Sequence, residues 1–194
     1  MNNDKLLSEW LYNKKYDKEL MQLGNTYPSC EYNGDLYRLW RISLEDIESA
    51  MMFPQFTSLL TDQEQYELNN GEDVIINSDA TKNIIEYFIK YKATKARSHS
   101  KSVTGCNEFI DNHAEQTAVI EFPVVLTKIN HSGFDLAALG KELKVNQKII
   151  KEFNDMEEIL AKYDYSSNDY TIVKLPEIEI FSNNGRYQPT YPSN

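Results

Sequence analysis

Three short segments of this chain carry residue types that could do chemistry together. Leu36-Tyr37-Arg38-Leu39-Trp40-Arg41-Ile42 offers arginines that follow aromatics. Arg97-Ser98-His99-Ser100-Lys101-Ser102 contains a Ser-x-Ser step. Asp155-Met156-Glu157-Glu158-Ile159-Leu160 sets acids in front of an apolar pair. The planar fork of arginine holds phosphate oxygens bidentately. A fixed carboxylate stabilises positive charge that develops beside it. On a strand, Ser98 and Ser100 share one face and His99 takes the other, which makes His99 a packing or surface residue rather than a general base. Arg38 and Arg41, three apart, face opposite sides, so only one can enter a cleft. Alternation leaves Arg38 after Tyr37 and Arg41 after Trp40 both open. The acidic segment has two registers, one presenting Glu158 and the other Asp155 with Glu157.

These residues need strands beneath them, and the surrounding pattern supplies candidates. Leu36 to Ile42 alternates and is rich in aromatics, Ala93 to Ser100 reads as a strand, and Glu157 to Ala161 as another. Ala118 to Ile129 forms a near-continuous apolar run interrupted by Pro123, the mark of an edge or a bulge. Tyr170 to Leu175 and Glu177 to Phe181 are further strands. Asp4 to Leu23 reads as one helix closed by Gly24. Asn25 to Gly34 is a turn-rich link containing Pro28. Ser43 caps a helix from Leu44 to Met52, Thr61-Asp62-Gln63-Glu64 is a capping box that opens another, and Ser78 or Asp79 caps a third reaching Tyr91. Ser102 to Ile110 reads as helical despite Gly105. After His131-Ser132-Gly133 comes a turn, then a helix around Asp135 to Leu143, and helical or loop residues run on to Phe153. Helices lead and strands dominate later, an α+β order. The reading is a single domain over 1–194: an N-terminal helical segment at 1–34, a core at 35–181 and a surface tail at 182–194.

With 194 residues, 41% hydrophobic and 26% charged, the chain can bury a core of ordinary size. A formal net charge of −10 argues against a general basic surface for nucleic acid. Lys90, Lys92, Lys95, Arg97 and Lys101 form a local exception, read either as a solvated face or as a basic lip for an anionic ligand. Two cysteines are too few for a disulfide scaffold, and no Cys/His spacing suggests a metal. No run is long and apolar enough for a membrane helix, and the first residues lack the pattern of a secretory signal, so the expected location is the cytoplasm.

In their order and strand contexts the three segments resemble the mono-ADP-ribosyltransferase family, and among its members the small bacteriophage-encoded enzymes that modify host proteins. The resemblance spans roughly residues 36 to 175. It implies a split β-sandwich with flanking helices, in which the three segments meet at the nicotinamide end of NAD. Catalytic roles would fall to Arg38, Ser98 and Glu158, and NAD contacts to Tyr37, Arg38, Ser98 and Ser100. Ser98 would orient Glu158, and Glu158 would stabilise the ribose cation as nicotinamide leaves. NAD is then a co-substrate, no metal is required, and the second partner is a macromolecular acceptor, a host protein. The chain departs from the pattern at Leu39, where a glycine often follows the arginine. It departs again at Met156, where Glu or Gln often helps select the acceptor. Glu177-Ile178-Glu179 is a literal Glu-x-Glu but falls too late, and its alternation suits an edge strand. Two rival readings are a degenerate transferase fold that binds without turnover and an acidic decoy for a nucleic-acid-binding partner.

Overall fold

Side-chain caps set most of the helix starts, because the first N–H groups of a helix have no partner within it. The computed structural model describes residues 2–92, 96–114 and 124–180. Asn2 caps α1 (Asn3–Asn13), accepting from the Lys5 N–H. Ser43 with Asp46 and Thr61 with Glu64 form complete capping boxes on α3 (Leu44–Met51) and α5 (Asp62–Asn69). Asn77 caps α6 (Ser78–Lys92), accepting from Ala80 N at 3.0 Å, so the cap lies one residue ahead of Ser78. Asp135 caps α8 (Leu136–Glu142) through Ala138 N at 2.9 Å. The remaining helices are α2 (Asp17–Gly24), α4 (Pro54–Thr57), α7 (Val103–Ala114) and α9 (Gln147–Asp155).

The strands are β1 (Glu31–Arg41), β2 (Val74–Ile75), β3 (Ala96–Ser100), β4 (Val124–Asp135), β5 (Glu158–Tyr163), β6 (Thr171–Lys174) and β7 (Glu179–Ile180). The principal sheet runs β1-β3-β5-β4-β6 with a further β1–β4 pairing, and β2 pairs with β7. The β1–β3, β3–β5 and β4–β5 pairs are antiparallel, so the architecture is α+β rather than a regular βαβ alternation. Opposite Tyr37 on β1 stands Ser100 of β3, and opposite Ser100 in turn stands Glu158 of β5.

The chain divides into two compact units. One comprises Met1–Leu39, Ala93–Ile120 and Thr127–Thr171; the other comprises Trp40–Lys92, Glu121–Leu126 and Ile172–Asn194. In the first, the core joins Leu7, Trp10 and Leu11 of α1 to Leu136 and Leu139 of α8, Ile150 and Phe153 of α9, and Leu160 of β5. In the second, α6 buries the stripe Ile84, Ile85, Phe88 and Ile89. There Glu177 and Glu179 are exposed and Ile178 is buried, the alternation of an edge strand.

Four expectations need correction. The single N-terminal helix is two, because Lys14 and Tyr16 adopt left-handed backbone conformations at φ 51° and 65° and end the first. Gly24 is the last helical residue rather than a left-handed cap. It serves close packing, since a Cβ there would come within 2.5 Å of the Phe134 ring. No turn follows His131-Ser132-Gly133, because β4 continues through them to Asp135. Gly133 lets that strand lie against β5, where a Cβ would meet Ile159 at 2.6 Å and the Leu160 carbonyl at 2.8 Å. The link after α2 is also shorter than expected: a single 3₁₀ turn over Pro28–Cys30 leads directly into β1 at Glu31. Residues 118–123 of the apolar run, Lys95 and the tail at 182–194 lie outside the described residues.

Candidate active site

β3 lies between β1 and β5, so the three segments singled out in sequence occupy neighbouring strands. Arg38, Ser98 and Glu158 line one cavity of about 170 Å³, together with Tyr37, Leu39, His99, Ser100, Gly105, Cys106, Met156 and Lys14. Ser100 is the residue directly opposite Glu158. Yet the carboxylate is reached diagonally by Ser98, two residues along on the same face, whose hydroxyl donates to Oε1 at 2.6 Å. Arg38 is partly buried and donates from its terminal nitrogen to the Ser98 carbonyl at 2.6 Å. The arginine thereby braces the backbone of the serine that holds the glutamate. Burial draws the Arg38 guanidinium below its ordinary proton affinity, while Tyr165 and Glu158 oppose that shift. Arg41 is exposed and does not line the cavity.

Glu158 is the first residue of β5 and only 3% exposed. The turn before it fixes its register. Met156 closes α9, and Glu157 takes a left-handed conformation at φ 49° before the strand begins. Non-glycine residues in that conformation cost energy and concentrate where a site demands a particular geometry. Ser100 donates to the Met156 carbonyl at 2.8 Å, and the Ser102 hydroxyl is hydrogen-bonded to the Glu157 carboxylate. Gly105 permits this closeness, because a Cβ there would lie 2.6 Å from the Met156 carbonyl oxygen and would also strike the Ser100 hydroxyl. Asp155 is exposed at the end of α9, paired with Lys151 at 3.5 Å. The register is thus the one that presents Glu158, with Asp155 and Glu157 engaged elsewhere.

Two more donors reach the same carboxylate oxygen, and both come from the N-terminal segment outside the resemblance. The fully buried Trp10 donates its indole N–H to Glu158 Oε1 at 2.9 Å. Lys14 Nζ pairs with that oxygen at 2.7 Å and lies 5.3 Å from the Trp10 ring centre. Glu158 Oε2 is buried and accepts no hydrogen bond among the described residues. A buried carboxylate oxygen without a donor is costly to maintain, and Glu158 is one of the residues that line the cavity. Sequence reasoning missed Trp10 and Lys14. Trp10 reads as part of a core stripe and Lys14 as an ordinary surface lysine, and nothing local to either signals a partner 144 to 148 residues away.

In the cavity lining, His99 is buried and stacks on Tyr165 with ring centres 6.1 Å apart. Burial, reinforced by the Arg38 charge, pulls His99 from 6.5 to about 3, so the ring is neutral near pH 7 and takes up a proton poorly. Burial also pushes the Cys106 thiol and the Tyr165 phenol up to about 12, which leaves both protonated. The basic lip read from sequence is partly consumed by structure: Arg97 pairs with Asp17 at 2.8 Å and Lys101 with Asp135 at 2.5 Å.

No family model, curated protein or solved structure matches the chain. Among the described residues no helix is long and apolar enough to cross a membrane, and no group of three or more His, Cys, Asp or Glu is placed to hold a metal ion.

Proposed function

We propose that this chain is a mono-ADP-ribosyltransferase that moves ADP-ribose from NAD to a macromolecular acceptor, with a split-sandwich transferase fold around the site. The observation that carries the reading is the contact of Ser98 with Glu158, made on adjacent strands beside Arg38. The cavity suits one end of the dinucleotide. A cavity of about 150 Å³ accepts a benzene ring, so about 170 Å³ fits a nicotinamide ring and leaves the rest of NAD outside.

NAD supplies a glycosidic bond whose electron pair departs with the nicotinamide nitrogen. As that bond breaks, positive charge grows on the ribose, the acceptor's lone pair forms the new bond to the same carbon, and the acceptor's proton is lost to water. Glu158 Oε2 accepts the ribose hydroxyl and offsets the growing charge; Ser98 and Trp10 hold the other oxygen still. Arg38 provides the cation for the phosphates. His99 and Cys106, neutral and buried, shape the wall.

A second reading has one observation in its favour. Lys14 already pairs with Glu158, as it would in a degenerate fold that binds without turnover. Incubation with labelled NAD and a cell lysate tests both. Labelled macromolecule with released nicotinamide supports the transferase; NAD bound without release supports the degenerate fold; no binding removes both. The bacteriophage setting and a host protein as acceptor belong to the same proposal, and the identity of the labelled macromolecule tests them.

A further inference from the structure

We propose that Lys14 is a charge latch on Glu158, and that a pyrophosphate lifts it by taking the ammonium for itself. This rests on the transferase reading and names how substrate binding would switch the site on. An ammonium 2.7 Å from Oε1 cancels much of the field a carboxylate would offer a ribose cation, since attraction falls only inversely with distance. The site as it stands is therefore well ordered and electrostatically muted.

The other holders of Glu158 differ from Lys14 in kind. Trp10 and Ser98 are neutral donors, and Trp10 is wholly buried. They fix the carboxylate without cancelling its charge. Lys14 is about one-third exposed, on a flexible stem at the left-handed residue that ends α1. It can leave Glu158 while the carboxylate stays in place. Its alternative partner is set by charge. Arg38 and Lys14 are the cationic side chains lining the cavity, and Arg38 already gives one terminal N–H to the Ser98 carbonyl. A doubly anionic pyrophosphate at the cavity mouth calls for a second cation, and an ammonium is a mobile point charge that suits the transfer. The exchange ties recognition of the phosphates to exposure of the negative charge that the chemistry needs.

The test compares NAD+ with nicotinamide riboside, which has the same scissile bond and no phosphate, on wild type, Lys14→Met, Lys14→Gln and Lys14→Arg. Calorimetry should show NAD+ affinity falling roughly tenfold in the Met and Gln variants, the loss of one charge-assisted contact, and largely recovered in Lys14→Arg. Hydrolysis of the riboside, in which water's oxygen replaces nicotinamide and a proton passes to solvent, should run several-fold faster in Lys14→Met than in wild type. Unchanged NAD+ affinity in Lys14→Met overturns the latch. Slower riboside hydrolysis in Lys14→Met also overturns it and leaves Lys14 as a brace. If wild type binds NAD+ but releases no nicotinamide, the transferase reading fails, and the affinity comparison still decides whether Lys14 takes the phosphates. If wild type does not bind NAD+, both fall together.

Discussion

Ser98 and Glu158, sixty residues apart in sequence, meet at 2.6 Å across two neighbouring antiparallel strands, and they do so diagonally rather than face to face. The residue directly opposite Glu158 is Ser100, whose hydroxyl goes instead to the Met156 carbonyl. One serine therefore holds the carboxylate and the other holds the turn that delivers it. This division of labour makes the two halves of the Ser-x-Ser step separable by experiment.

Replacing Glu158 with Gln keeps the shape and removes the charge. If Glu158 offsets ribose charge in the transition state, nicotinamide release should fall about a hundred- to a thousandfold while NAD affinity changes little. Initial rates against NAD concentration, with a separate binding measurement, check this. Unchanged turnover would remove Glu158 from the mechanism. Arg38→Ala should show the opposite bias, weakening binding first, because the phosphate charge is present before reaction.

Gly105→Ala should destabilise the fold by roughly 1 to 3 kcal/mol, the usual range for overpacking. The added methyl meets the Met156 carbonyl and the Ser100 hydroxyl, and neither is a flexible chain end. Urea unfolding of the two proteins measures the difference. A midpoint equal to wild type would mean that β3 and the α9–β5 turn are not locked together there.

Acid should weaken the protein through His99. Its folded value of about 3 lies below the unfolded 6.5, so between those values the unfolded chain binds the extra proton. The contribution is fully present above about pH 6.5 and is lost as pH falls toward 3, at up to roughly 1.4 kcal/mol per pH unit. His99→Phe keeps a ring against Tyr165 and removes the titrating group. Unfolding midpoints between pH 4 and 7 should slope less in the variant than in wild type; parallel slopes would exclude His99 as their source.

On the proposed transferase reading, Met156 bears on the choice of acceptor. Its side chain packs in the core with Phe153 and Leu160, so no carboxylate or amide stands two residues before Glu158. Strict arginine modification is therefore not expected. Mass spectrometry of labelled acceptor peptides decides the point, and labelling confined to arginine would redirect attention to Glu157 and Asp155.

How much of this was legible in sequence follows the range of the interaction. Caps such as Ser43 with Asp46 and Thr61 with Glu64 are local, and they stand where the spacing put them. The alternation and aromatics of β1 likewise revealed the strand beneath Arg38, and Ile159-Leu160 marked the one beneath Glu158. Lys14 was hidden because a left-handed cap is ordinarily announced by glycine, and a lysine there gives no such signal. The extent of β4 was misread for the converse reason. Ser-Gly looks like a turn, whereas Gly133 is needed for a close approach by β5 that is invisible without the partner strand. The choice between Glu158 and the pair Asp155 and Glu157 needed the backbone reversal at Glu157, which alternation alone cannot supply.

The three donors on Glu158 Oε1 have a consequence for motion. The two oxygens of an ordinary glutamate are interchangeable, because the carboxylate group rotates and the labels lose meaning. Here a quarter rotation would break the bonds to Ser98, Trp10 and Lys14 at once. Exchange of the two oxygens is therefore hindered, and at any moment one is held by three donors while the other accepts no hydrogen bond among the described residues. The rotational freedom that a side chain normally surrenders on meeting a ligand, up to about 2 kcal/mol for a glutamate, has already been given up during folding.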